Sequence, residues 1–295
     1  VAKQGLIATH ALLIQSAMRK QADADKIAEK WLAHNHLKGI TAEEKASAQG
    51  WVKVNVTLDN KPLMNTMDEV YAGGWVFGSY DSADVLGFSA ADWSGLAIGN
   101  ETAAALVDAP RGLKTLLESK AITIKGIDDL TYDRIGSALA LSLSQGLGIK
   151  ETASAVNYVL DDPARSMLIA RTETARAITD SNVASYQEYG ITQIEWMVGD
   201  PIGCICVDLD GMIVDIGEEF STGILKPPAH PNCVCDVAPV VPEGGIDTTG
   251  SDSGDGSGDG SGDSSGSLIH DGIITVGSAI IGNILDSLPD DQLED

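Results

Sequence analysis

The chain has 295 residues, enough for one large domain or two of ordinary size. Its 19 Lys and Arg stand against 43 Asp and Glu, a net charge of −24. This excludes a protein that coats nucleic acid with its whole surface, because phosphate binding needs clustered cations. The charge is uneven: nine Lys/Arg and six Asp/Glu precede or include Lys61, whereas 13 acidic residues and no Lys or Arg follow Lys226. That asymmetry fits a chain whose two ends meet different partners, or a plain solvated acidic tail.

In chain order, helical periodicity covers 11–32, from Leu13 to Trp31 and Leu32, with Gly39 beyond its end. Thr41 and Glu44 form a capping box for a second helix. Val52, Val54, Val56 and Leu58 alternate as in a strand, but the helical neighbourhood favours helix. Residues 62–86 read as a helix with a weak point at Gly73–Gly74, 87–100 as irregular, and 101–119 as helical with a break at Pro110. Asp129 or Thr131 caps a helix to Gln145, closed by Gly146 and Gly148, and another helix covers 150–160. Asp162–Pro163 is an N-cap followed by Pro at the first helical position; it opens a long helix to Tyr189, which Gly190 closes. Ile191, Ile194, Trp196 and Val198 then read as a strand, and Met212–Val214 as a second, with Asp210–Gly211 as the turn between them. The expected fold class is therefore α+β, mostly α-helical.

Residues 243–267 are dominated by Gly, Ser, Asp and Thr and read as a flexible, self-repelling linker; they lack the nonapeptide period of calcium-binding repeats. Residues 268–295 return to an apolar pattern, a docking tail. The apolar run Ile273–Leu285 is too short to span a bilayer, and no cleavage site follows the apolar stretch at 5–17, so neither a membrane partner nor a secretory leader is expected.

All four cysteines and one of five histidines fall together: Cys204 and Cys206 as C-x-C, then His230, Cys233 and Cys235 within P-P-A-H-P-N-C-V-C. Thiolate and imidazole are the ligands zinc prefers, and four of them close a tetrahedral structural site, so these five compete for four places. Reduced cysteines packing a small core, and disulfides, are the other readings. Asp208-Leu-Asp210-Gly211 does not make an EF-hand loop, because its glycine stands at the fourth position instead of the sixth.

Residues 169–199, IARTETARAITDSNVASYQEYGITQIEWMVG, followed by CVDLDG at 206–211 and PPAHPNCVC at 227–235, resemble the phage Mu protein F-like head morphogenesis domain. The resemblance covers about 128–238. It implies four regions: a helical N-terminal region over 1–127, the domain with its Cys/His unit over 128–242, the linker 243–267 and the tail 268–295. The family has C-x-x-C before L-D-G; here its second cysteine falls on Cys206 and its first position on Gly203, one residue before Cys204. The resemblance implies a non-enzymatic minor capsid protein of a tailed phage, assembled in the bacterial cytoplasm and held inside the head near the portal. It would aid head assembly or DNA packaging and ejection. Portal protein and major capsid protein are the implied partners, with packaged DNA reached through the N-terminal region. Within A-R-T-E-T, Arg171 and Glu173 either form a salt-bridged helix surface, with Glu173–Arg176 and Arg176–Asp180 at supportive spacing, or fix the backbone of the cysteine-rich loop. A metal-dependent hydrolase or nuclease is the alternative function; it would need an open coordination position and a general base.

Overall fold

The computed structural model describes residues 2–35, 42–86, 111–199, 204–221 and 223–242. The expected cap at Thr41, the irregular stretch 87–100, the helical start at 101–110, the linker and the tail lie outside these residues. The described residues are mostly helical with one small antiparallel sheet, the α+β class expected. They form two compact units: a helical unit of residues 7–68 and 117–170, and a sheet unit built from residues 1–6, 69–116 and 171 onward.

The helical unit draws on α1 (Ala2–Arg19), α2 (Ala24–His34), α3 (Ala42–Asn55), the first turns of α4 (Lys61–Val85), α5 (Arg111–Ser144), α6 (Ile149–Leu160) and the start of α7 (Pro163–Glu188). The single helix expected over 11–32 is two. Asp23 stops the first by capping the second, its carboxylate accepting from the Lys26 N–H at 3.1 Å. α3 runs to Asn55, so the helical reading of 52–58 holds for its first part; Val56 and Leu58 follow it out of the helix and are buried. Asp129 and Thr131 do not start a helix, because α5 is continuous through them. Asp129 instead pairs with Lys125 one turn back, and the Thr131 hydroxyl donates to the Ile127 carbonyl at 2.7 Å. Gly146, at φ 65°, closes α5 with the bonds Gly146 N–H to Leu143 O and Leu147 N–H to Ser142 O. Asp162 caps α7 as expected, accepting from the Arg165 N–H.

Trp31 anchors this unit's core. It is buried among Val52, Ile135, Leu139, Val156 and Leu160, its indole N–H donates to the Leu139 carbonyl at 3.2 Å, and its ring meets Trp51 edge-on at 5.1 Å. A polar seam crosses the interior. Gln21 donates to Asn60 and to Asp128, Asn60 donates to Asp128, and the buried Arg165 donates to Ile127 O and to Thr131 Oγ1.

The sheet unit contains the rest of α4, the first residues of α5, and α7 from Arg171. The Gly73–Gly74 pair does not weaken α4, which is uninterrupted. Within this unit Gly74 and Gly78 are contact points with α7: a Cβ on Gly74 would stand 2.6 Å from Ala177 Cβ, and one on Gly78 2.5 Å from the Ile178 carbonyl oxygen. The sheet follows α7 in the order β2-β1-β3, with β1 at Gln193–Met197, β2 at Ile213–Asp215 and β3 at Asp236–Pro239. β1 is central, pairing Ile194 with Val214 and Trp196 with Val237. Its inner residues Ile194 and Trp196 pack with Val183 and Tyr186 of α7, and Trp196 meets Phe220 edge-on at 5.0 Å. Gly190, at φ 77°, turns the chain from α7 into the sheet, with Ile191 N–H returning to Tyr186 O.

Two outcomes are expected in thermal and denaturant melts. Gly78→Ala should cost about 1–3 kcal/mol, because the added methyl would meet the Ile178 carbonyl at 2.5 Å and Ser181 Cβ at 2.8 Å, neither of which can swing away. Gly126→Ala, at an open helical position with nothing within 4 Å, should stabilise by about 0.5–1 kcal/mol. His10, fully buried on α1, has its pKa lowered to about 3 by desolvation. The unfolded chain then binds the extra proton below about 6.5, so stability present above that pH should fall by up to about 1.4 kcal/mol per unit as pH drops toward 3. A His10→Asn variant, measured by urea melts across that range, should show a flatter dependence.

Candidate metal centre

The sulfur and nitrogen atoms come from two segments beside the sheet. The first is the loop after β1. Cys204 enters it, Cys206 is buried, and Val207–Leu209 forms one 3-10 turn before β2. Asp210–Gly211 is therefore not a simple turn between two strands; it carries the chain from the 3-10 turn into β2. Asp210 Oδ1 accepts from the Val198 N–H at 2.9 Å, and Gly211, at φ 74°, donates to Trp196 O at 2.9 Å. These bonds close the base of the loop on the end of β1.

The second segment is the arm from Lys226 to Cys235, which leads into β3. Three contacts hold it to α7: Lys226 with Asp180 at 2.9 Å, the Asn232 N–H to Thr172 Oγ1 at 2.9 Å, and the Arg171 guanidinium to Asn232 Oδ1 at 3.2 Å. Asn232 sits at φ 63°, a left-handed conformation that asparagine accepts more readily than most residues. Arg171 thus does reach the cysteine-rich arm, but Thr172 fixes its backbone. Glu173 turns elsewhere, accepting from the Tyr71 hydroxyl at 2.8 Å and from Arg176 at 3.2 Å. The Arg176–Asp180 pair suggested by spacing gives way to Asp180–Lys226.

The ligand atoms of Cys204, Cys206, His230 and Cys233 lie within 4.8 Å of one another, a grouping that could hold a metal ion. Cys235 stands beside this set, its sulfur 3.5 Å from that of Cys204. Cys206, Cys233 and Cys235 are at most 3% exposed and belong to the same apolar cluster as Trp196 and Phe220. All four cysteines are free thiols. The packed-cysteine reading holds for Cys206, Cys233 and Cys235, four of the five Cys and His residues stand where they could hold a metal ion, and none of the cysteines is paired in a disulfide.

The donor chemistry fits a thiophilic cation. His230 Nδ1 lies 2.9 Å from the Pro231 carbonyl, which can only accept, so Nδ1 carries the proton and Nε2 is left as the coordinating nitrogen, 3.4 Å from the Cys204 sulfur. The Cys204–His230 hydrogen bond lowers the Cys204 thiol to about 7 and raises His230, while burial drives Cys206 upward and Cys235 to about 12. Backbone amides assist the sulfurs: that of Cys206 bonds to Cys204, and that of Gly199 to Cys235. A thiolate ligand set needs the buried thiols deprotonated, which a bound divalent cation accomplishes directly.

The sequence did not single out Thr172, Asp210 as a side-chain ligand of the backbone, or β3. Short polar side chains beside turns were the available signal. Thr172→Val should destabilise by about 0.5–1.5 kcal/mol, since it removes the hydrogen bond that holds the Asn232 amide, whereas Arg171→Ala at an exposed contact should cost under about 0.5 kcal/mol. Paired denaturant melts separate the two.

Among the described residues, no helix is long and apolar enough to cross a membrane. No curated protein and no solved structure matches the chain. Residues 133–238, about a third of the chain, match the family model for Phage Mu protein F like protein. The match runs from within α5 to β3 and takes in every Cys and His of the cluster. Over these residues the chain is similar to the phage Mu protein F-like family.

Proposed function

We propose that the protein is a minor head protein of a tailed phage, resident inside the capsid near the portal, where it aids head assembly or DNA packaging and ejection. The family match over 133–238 carries this reading. Its partners are the portal protein and the major capsid protein, and it assembles in the bacterial cytoplasm. Contact with packaged DNA through the N-terminal region has less support. Lys3, Arg19, Lys26 and Lys53 are each engaged in an ion pair, with Asp236, Asp161, Asp23 and Asp133.

The Cys/His cluster serves this role as a structural zinc centre, with Cys204, Cys206, His230 and Cys233 as ligands and Cys235 as a buried neighbour. Four sulfur and nitrogen donors complete a tetrahedral shell and leave no open position for a reacting water, which favours a structural protein over a metal-dependent hydrolase.

Elemental analysis of protein purified without chelator should find about one zinc per chain. Cys206→Ser should lose the metal and melt at lower temperature, because structural zinc contributes to folding. Less than about 0.2 zinc per chain with unchanged melting of the variant rejects the centre. Separately, the chain should be present in purified heads and enriched in portal-bearing fragments; its absence from both rejects the head assignment.

A further inference from the structure

The outer face of the sheet has an unusual composition. In β1, Ile194 and Trp196 are buried while Gln193 and Met197 are exposed. Strand register places Ile213 of β2 and Ala238 of β3 across from Glu195, and Asp236 across from Met197. Beyond the ladder Val234 lies beside Gly199, where a Cβ would meet the Val234 carbonyl first and its Cγ2 at 3.3 Å, and half-exposed Val234 alternates with buried Cys233 and Cys235. Side chains alternate across a strand, so Met197, Ile213 and Val234 share one face. They are 50%, 51% and 49% exposed. An antiparallel sheet with one face on its core normally turns polar side chains to water on the other. Here a half-open apolar track runs from β2 across β1 to Val234, two residues ahead of β3.

The chain leaves this sheet at its own edge. The Val240 N–H still pairs with Gln193 O at 3.0 Å, and Val241 is 49% exposed. Beyond it, residues 243–267 are dominated by Gly, Ser, Asp and Thr, and then Gly272–Leu285 contains no Asp, Glu, Lys or Arg and includes five isoleucines. We propose that this uncharged segment of the same chain docks on the outer face of the sheet, over Met197, Ile213 and Val234. The span supports it. A Gly/Ser-rich tether of this length has a root-mean-square reach of about 25–30 Å, while three strands are crossed in about 10 Å. Tethering also places the segment at an effective concentration near the millimolar range, so a small apolar contact suffices to hold it. The segment's lack of charge matters too, because Glu195 and Asp215 on the same face would repel an acidic occupant.

The test uses the purified full-length chain, at about 1 µM to keep chains apart, and is independent of head incorporation and of zinc content. A benzophenone amino acid replaces Ile213; after irradiation and cleavage before aspartates, it should link to the peptide 271–285 within one chain. The same probe at Tyr158, 73% exposed in the helical unit, serves as control and should leave that peptide unlabelled. In parallel, removing 268–295 should raise the rate of Met197 oxidation by peroxide about threefold or more, as expected when a covered thioether is opened to solvent. Links from position 213 only to a second copy, links to other peptides alone, equal labelling from position 158, or an unchanged Met197 rate each overturn the proposal.

Discussion

Strands of five, three and four residues bury too little apolar surface to stand alone, and the sheet's inner face depends on a layer supplied from elsewhere. α7 supplies one half of it through Val183 and Tyr186. Phe220 and the cysteines supply much of the rest. Reduced cysteine is small and apolar enough to fill a core, so Cys206, Cys233 and Cys235 pack beside Trp196 and Phe220 as ordinary hydrophobes. Two of these sulfurs, Cys206 and Cys233, also stand with Cys204 and His230 in the group that could hold a metal ion. A change at Cys206 therefore alters the apolar core and the candidate donor group together.

The position of the donor arm is set by helix contacts made well away from it. Gly74 and Gly78 let α4 approach α7 so closely that side chain and backbone are in direct contact. In this arrangement the Ser181 hydroxyl reaches the Trp75 carbonyl at 2.7 Å, and Glu173 reaches Tyr71. The face of α7 so fixed presents Arg171, Thr172 and Asp180, at which the arm is held. Two bonds at Asn232 and one at Lys226 orient a segment that has no secondary structure of its own until β3.

Signals of local stereochemistry were legible in the sequence. Asp162–Pro163, Gly146 and Gly190 act where they stand, because caps and left-handed glycines depend on neighbours a few residues away. The clustering of Cys204, Cys206, His230 and Cys233 was legible for the same reason, since ligand chemistry is carried by residue type. Features decided by distant partners were not. Asp129 and Thr131 look like caps, yet inside α5 their side chains find partners one turn back, and nothing in the sequence ranks the two uses. Gly73–Gly74 reads as a weak point in a helix, and which neighbour packs against it, Ala177 at Gly74, is decided about a hundred residues away. β3 is a short strand that ends in Pro239, and only pairing with β1 makes it one. Thr172 stands inside a quoted motif whose charged neighbours draw attention first.

The sheet unit is assembled from the two ends of the chain and its middle. Lys3 bonds to Asp236 at 3.1 Å across 233 residues, while α4 and α7 meet across about a hundred. The helical unit, by contrast, is complete once residue 170 has been made. On the ribosome this fixes an order. The helical unit can fold during elongation, whereas residues 69–116 emerge early and must wait for a partner that is still unwritten. The donor arm is among the last described parts to leave the exit tunnel, so the Cys/His cluster can close only after the helices of both units have been made, and a nascent chain stalled before Cys233 would lack one of its four donors.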